Sequence, residues 1–287
     1  MEAFPLPGSG RASVVAAAPG EGTGFWAGSP GAALDPGGGV VLAYRVRRGV
    51  GEEGGAETVV ARSDDGETFT TVATLDKSRF RAMSMERPAI VRTAEERWRL
   101  YVCCATFGSK HWWISLLEAD EPEQLAEADD RIVFPGDDTV AVKDPIVRKA
   151  ERGWEAWICC HPLDEPDEED RMTSAYATSS DGVGWAWHGT VLAPRAGTWD
   201  ARGARLTAVL ADGRAAYDGR ATKEENWFER TGLARSVDGR FEQIGDEPVA
   251  DARYLEVLPL PDGGYRIYYE APVSDGSHEL RTELVSA

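Results

Sequence analysis

Five aromatic residues, Tyr44, Tyr101, Trp157, Tyr217 and Tyr268, stand 57, 56, 60 and 51 residues apart and divide the whole chain into similar units. Each closes the second of two short apolar segments joined by a turn. The first pair runs from Ser29 to Tyr44 around Asp35-Pro36-Gly37-Gly38-Gly39, and the second from Glu86 to Tyr101 around Glu95-Glu96. The third runs from Lys143 to Trp157 around Arg152-Gly153, the fourth from Ala204 to Tyr217 around Asp212-Gly213, and the fifth from Tyr254 to Tyr268 around Asp262-Gly263-Gly264. Regularity at this period marks a repeat architecture, in which each unit buries its apolar faces against its neighbours.

A second landmark follows most of these hairpins. Ser63-Asp64-Asp65-Gly66, Ser180-Asp181-Gly182 and Ser236-Val237-Asp238-Gly239 each precede an aromatic, respectively Phe69, Trp185 and Phe241. Asp-Gly supplies the left-handed backbone of a tight turn, so it marks the step from a third strand to a fourth. In the second unit Ile114-Ser115-Leu116-Leu117 takes the third-strand place and an acidic stretch, Glu118 to Asp130, follows. Four strands per unit of ~50–60 residues describe a propeller blade. With helical periodicity nearly absent, the expected fold is all-β: a five-bladed β-propeller of four-stranded antiparallel blades around a central axis, filling residues 1–287 as one domain. The fifth unit reaches only a third strand, Glu279 to Val285. Its open edge needs cover, and the strand-like segment 11–18 is expected to complete that blade.

Charge narrows the partners. Acidic residues outnumber basic ones 49 to 31, a net charge of -18, which repels polyanions and argues against nucleic acid. No apolar run approaches the ~20 residues of a membrane span. Met1 to Gly10 has neither a basic nor an apolar stretch, so no signal peptide is expected, and the cytoplasm is the expected compartment. The four cysteines form two adjacent pairs, Cys103-Cys104 and Cys159-Cys160, whose side chains alternate across a strand and suit packing better than zinc or disulfides. His111 and His161 lack metal-ligand spacing to another His. No metal or cofactor is expected.

The first strand of each blade lines the axis, so chemistry belongs at one end of those strands. The polar residues there are Ser29 in blade one, Glu86 and Arg87 in blade two, Lys143 and Asp144 in blade three, Asp200 and Arg202 in blade four, and Arg253, Tyr254 and Glu256 in blade five. Ionised groups in a core are costly without partners, so these residues describe either an ion-pair plug or a polar ligand cavity. Trp26, Trp112-Trp113, Trp199 and Trp227 flank the same places. Carboxylates beside Trp faces suit sugar rings, whose C–H faces stack while their hydroxyls hydrogen-bond. The segment Tyr217 to Arg230 is read with equal weight as a rim loop facing the funnel or a solvated hairpin.

With Lys143-Asp144-Pro145 and Glu86-Arg87-Pro88 opening inner strands, and Gly232 to Gly239 forming a strand and turn, the chain resembles the five-bladed glycoside hydrolases of families 43, 32, 68 and 130, the arabinosidase, invertase, levansucrase and mannoside-phosphorylase group. In family 43 the resemblance implies three carboxylates. Asp144 matches the Asp-Pro of blade three, whereas Gly28-Ser29-Pro30 carries Ser29 where the blade-one base would stand, and Trp199-Asp200-Ala201-Arg202-Gly203 departs from the blade-four pattern. Asp35-Pro36 lies in a turn away from the axis. The expected catalytic carboxylates are therefore Asp144 with Glu86 or Asp200. Trp26, Ser29, Arg87, Lys143, Trp199, Arg202, Tyr254 and Glu256 are the expected contacts to a small carbohydrate or glycoside, taken from a chain end.

Other functions share the architecture. A glycosidase-like scaffold could bind or transform another metabolite. A sialidase-like protein would need six blades and three converging arginines with a tyrosine, and a protein-interaction ring would lack charges at the axis.

Overall fold

The computed structural model describes residues 3–50 and 53–286. It begins with β1 (Ser13–Ala16), and blade one follows as β2 (Trp26–Leu34), β3 (Val40–Val50), β4 (Glu53–Ser63) and β5 (Thr70–Asp76). Blade two comprises β6 (Ala89–Arg92), β7 (Trp98–Ala105), β8 (Trp112–Ala119) and β9 (Asp130–Phe134). Blade three comprises β10 (Val140–Lys149), β11 (Trp154–Pro162), β12 (Thr173–Ser179) and β13 (Ala186–Leu192). Blade four is β14 (Gly203–Val209), β15 (Arg214–Arg220), β16 (Arg230–Val237) and β17 (Arg240–Ile244). In blade five, β18 (Arg253–Pro259), β19 (Tyr265–Pro272) and β20 (His278–Val285) are joined by β1, which pairs antiparallel with β20, Ser13 opposite Thr282. Every blade is thus a four-stranded antiparallel sheet, and one parallel bridge, Trp26 to His278, links blades five and one. The N-terminal segment is anchored further where Gly8 and Gly10 N–H groups donate to the Glu283 carboxylate, and Phe4 and Leu6 pack beside Leu255.

Five apolar clusters fill the five gaps between blades. Val41, Val60 and Leu75 of blade one meet Ile90, Leu100 and Cys104 of blade two. Tyr101, Cys103 and Leu116 meet Val142, Ala156 and Cys160 of blade three, and Trp157 meets Leu206, Tyr217 and Phe241 of blade four. Ala208 and Ala216 face Leu255, Val257 and Ile267 of blade five, and Tyr268 and Leu280 close the ring against Leu42, Tyr44 and Val59. Because both faces of a blade are covered, successive strand residues serve different neighbours. Cys103 and Cys104 sit in adjacent clusters for that reason, and all four cysteines are buried free thiols.

The inner strands share an irregularity that positions the axial side chains. Pairing slips between Gly28 and Gly31 in β2, between Lys143 and Ile146 in β10, and between Arg253 and Glu256 in β18. At each slip a non-glycine residue has left-handed backbone: Ser29 (φ 54°), Asp144 (φ 50°) and Tyr254 (φ 51°). Such a conformation costs about 1–3 kcal/mol and survives where surrounding contacts enforce it, and a bulge re-aims the side chain it carries. Ser29, Asp144 and Tyr254 are each almost wholly buried, with polar partners on other blades.

Candidate active site

The three bulges, with Arg87 of blade two and Arg205 of blade four, form a polar plug across the axis. Arg205 donates to Asp144 Oδ2 (3.0 Å), to Tyr254 Oη (2.8 Å) and to Asp218 Oδ2 (2.6 Å), and its guanidinium lies 3.8 Å from the Tyr254 ring centre. Asp144 Oδ1 accepts the backbone N–H of Arg87 (3.2 Å), and the Asp144 N–H donates to Cys103 Sγ (3.0 Å). Arg87 reaches across the axis to Glu256 and also donates to the Pro30 carbonyl (2.9 Å). Plug residues that carry charge are therefore paired, as buried ions must be.

On the upstream side of the plug lies a cavity of about 260 Å³, walled by Trp26, Trp112 and Trp227 and by the carboxylates Glu86, Glu169, Asp170 and Glu229. Its cations come from both kinds of strand: Lys143, Arg205 and Arg253 from first strands, Arg45, Arg47 and Arg220 from second strands, and Lys110 from a loop. Arg45 pairs with Glu86 and with Glu270 (2.8 Å), Arg253 with Glu229 (2.8 Å) and Glu270 (2.9 Å), and Arg220 with Glu229 (2.5 Å). His278 Nδ1 also lies 2.7 Å from Glu270. Burial pushes the Glu86 carboxyl up, but Arg45, Lys143, Arg47 and Arg253 outweigh it and hold Glu86 at about 2. The same contest, won by Arg253, Arg45 and His278, holds Glu270 at about 2. Glu229 is held low by Arg253, Arg220 and Arg205 against its burial, and Asp170 by Arg202 and Arg220. Burial pushes the Tyr254 phenol well up, so it keeps its proton.

His161 also lines the cavity. Burial first, then Lys143, Arg220 and Arg205, keep the ring neutral; Nδ1 lies 2.8 Å from the Glu169 carbonyl and Nε2 has no partner among the described residues. With Nδ1–H donated, the buried Nε2 carries the lone pair. The rim loop between β15 and β16 faces the cavity through Asn226, Trp227 and Glu229, with Glu225 accepting the Ala221 N–H (2.7 Å) to hold its turn.

Of the residues expected from sequence, Glu86, Trp26, Lys143 and Tyr254 line this cavity. Asp144 lies beneath it, fully buried, and orients Arg205. Ser29 is also fully buried, 3.5 Å from Glu270. Arg202 stands at the rim, bound to Glu168 and Asp170. Asp200 is not brought to the axis: Arg195 (3.1 Å), Thr198 and Tyr217 Oη (2.7 Å) hold it, and Trp199 stacks on Tyr217 in the cluster between blades three and four. Arg87 and Glu256 open instead to a second cavity, about 480 Å³, walled by the downstream halves of β2, β6, β10 and β18. The structure therefore does not assemble Asp144, Glu86 and Asp200 at one surface. Sequence reasoning missed Arg45, Arg47, Arg205 and His161 as cavity residues, and reached Arg220 and Glu229 only within the segment 217–230. A signal existed, since Arg45 interrupts an apolar strand in Leu42-Ala43-Tyr44-Arg45-Val46 and is almost wholly buried.

No protein-family model and no curated protein matches the chain. Solved structures do. A glycosyl hydrolase from Bacteroides ovatus superposes with a TM-score of 0.65 at 15% identity, covering 98% of this chain and 96% of that one. A β-1,2-mannobiose phosphorylase from Listeria innocua, solved with β-1,2-mannobiose, gives 0.63 at 14% identity over 99% and 93%. An α-L-arabinofuranosidase from Lactobacillus brevis gives 0.62 at 13% identity over 90% of each. The chain has the five-bladed propeller fold of these glycoside hydrolases and phosphorylases.

Proposed function

We propose that this protein is an enzyme that cleaves a small glycoside, or the end of a short oligosaccharide, in the upstream axial cavity. The observation that carries the proposal is the meeting, in one cavity of about 260 Å³, of tryptophan faces with carboxylates held ionised. That volume lies just under the roughly 300–1,000 Å³ of drug-sized sites, so it suits a sugar or two. Trp112 and Trp227 keep part of their surface open for a ring to stack on. Glu86, ionised at neutral pH, is placed to stabilise the cationic sugar of an oxocarbenium-like transition state or to activate a water. Of the cavity carboxyls none is raised: Glu86, Glu169, Asp170 and Glu229 are all held low. Protonation of a leaving oxygen is consequently the weak step, and glycosides with good leaving groups are the ones expected to turn over fastest.

That same absence of a raised carboxyl favours a second reading, ligand binding without cleavage. A panel of aryl and alkyl glycosides, assayed with and without inorganic phosphate alongside calorimetric binding, separates the two. Turnover of aryl glycosides that disappears in Glu86→Gln, with folding intact by circular dichroism, supports the enzyme. Binding without release of the aryl group supports the second reading. Neither turnover nor binding overturns both.

A further inference from the structure

Resting on the glycoside reading of the upstream cavity, we infer that the glycoside carries an anionic group on its sugar, a carboxylate or a phosphate or sulfate ester. The protein as a whole is strongly acidic, with a net charge of -18, yet seven Lys and Arg side chains line this cavity against four carboxylates. Much of that cationic charge is already neutralised. Arg45 is held by Glu86 and Glu270, Arg220 and Arg253 by Glu229, and Arg205 from beneath by Asp144 and Asp218.

Of the remaining three, Lys110 is exposed to water, and two largely buried cations are left short. Among the described residues Arg47 has one acid, Glu86, no closer than 3.7 Å and already gripped by Arg45. Lys143 comes no closer than 3.8 Å to Asp144, which Arg205 already holds at 3.0 Å. Their side chains are only 15% and 13% exposed, so water does not fully solvate either charge. Arg47 Nε is buried with no hydrogen-bond partner among the described residues. Cations withdrawn from water without a close counter-charge are costly, and an anion arriving with the ligand removes the cost. Burial lowers the Arg47 guanidinium from its ordinary value; Glu86 opposes the shift, and the nearby Arg45 and Arg253 add to it.

The location says that the anion belongs to the sugar. Arg47 lies against both Trp26 and Trp227, 5.3 and 5.4 Å from their ring centres, and Lys143 lies 4.8 Å from that of Trp112. Trp26 is buried, but Trp227 and Trp112 keep part of their surface open, so the spare positive charge is beside the rings on which a sugar would stack. A guanidinium fork recognises carboxylate or phosphate oxygens in pairs, and the ammonium adds a point charge.

The test is calorimetric binding to the full chain of four probes: a uronic acid glycoside, a sugar phosphate or sulfate ester, their uncharged counterparts, and inorganic phosphate alone. Expected is at least about tenfold tighter binding of a charged sugar than of its neutral counterpart. That preference should weaken with added salt and disappear in both Arg47→Gln and Lys143→Gln, each checked for native circular dichroism. Which charged sugar wins distinguishes carboxylate from ester. Neutral sugars binding as tightly as charged ones would overturn the inference while leaving the glycoside reading intact. So would phosphate binding at Arg47 and Lys143 with no preference among sugars, which would make the anion a separate co-substrate. Binding of inorganic phosphate and of no sugar would overturn the glycoside reading itself, and with it the inference.

Discussion

A β-carbon on Gly28 would lie 2.2 Å from Oε2 of Glu270, so the inner strand of blade one gives up a side chain where a carboxylate from the second strand of blade five comes in. Glu270 is fully buried there, gathering Arg45, Arg253 and His278. Ser29, standing where the resemblance to family 43 would place the blade-one acid, donates to Glu270 from Oγ (3.5 Å). The pair is how this propeller keeps a carboxylate near blade one without one on the inner strand.

Gly28→Ala tests how firmly that carboxylate is held. Glu270 would be a flexible side chain on a surface, but three partners and complete burial leave it nowhere to retreat. Displacing it strands Arg45 and Arg253 without a full complement of charge. The expected loss is about 3–5 kcal/mol, the usual result of breaking a buried pair, read from urea unfolding. A change within about 0.5 kcal/mol, the range of an innocuous surface substitution, would show that Glu270 moves aside freely.

The axial carboxylates also set the behaviour in acid. Glu86 and Glu270 have folded values near 2 against an ordinary 4.5, so the folded state prefers them ionised. Their contribution to stability is fully present above about 4.5 and is lost as pH falls from there towards 2. Glu86→Gln keeps the shape and removes the charge. It should cost about 3 kcal/mol at pH 7, and its stability curve should close on that of the wild type as pH falls from about 4.5 towards 2. Parallel curves from pH 7 to pH 3 would mean that the Arg45 pair contributes nothing through ionisation.

Most of the architecture was legible because two sequence signals describe one contact. The anchoring aromatics and the Asp-Gly turns recur separately along the chain, and for two of the five aromatics they touch in the structure. Tyr101 of blade two donates to the Gly182 carbonyl in the turn of blade three (2.8 Å), and Tyr268 of blade five donates to the Gly66 carbonyl in the turn of blade one (3.0 Å). Where this contact forms, the aromatic stands at the height of the neighbouring turn; the Tyr217 hydroxyl instead donates to Asp200 (2.7 Å). The site was legible in part. Lys143 and Tyr254 lie at or before the inner-strand bulges, and Glu86 lies just ahead of β6, all on the upstream side. Arg87 follows Glu86 by one residue and Glu256 follows Tyr254 by two, yet both open to the other cavity, because pleat and bulge decide the face and neither can be read from spacing alone. Asp200 precedes β14 within a turn, where Arg195 and Tyr217 claim it. Arg45, Arg220 and Glu270 stand on second strands, whose ends also reach the axis in a ring this narrow.

At the downstream mouth the sign of the pH effect reverses. Burial raises the Glu256 carboxyl from 4.5 to about 7, with Arg87 only partly offsetting it. Between those values the folded state binds the proton more tightly than the unfolded chain does, so this group lowers stability as pH rises from about 4.5 to 7, and the loss persists above. The shift corresponds to at most about 3 kcal/mol, trimmed because 19% of the side chain is exposed. Glu256→Gln preserves a hydrogen bond to Arg87 and removes the titration. The variant should match the wild type below about pH 4.5 and exceed it by about 1–3 kcal/mol at pH 8, measured by urea unfolding at both values. Combined with the opposite slope from Glu86 and Glu270, this places the wild-type maximum at mildly acidic pH and moves it upward in the variant. A Glu256→Gln protein less stable than the wild type at pH 8 would mean that the Arg87 pair, once ionised, outweighs the burial of its carboxylate.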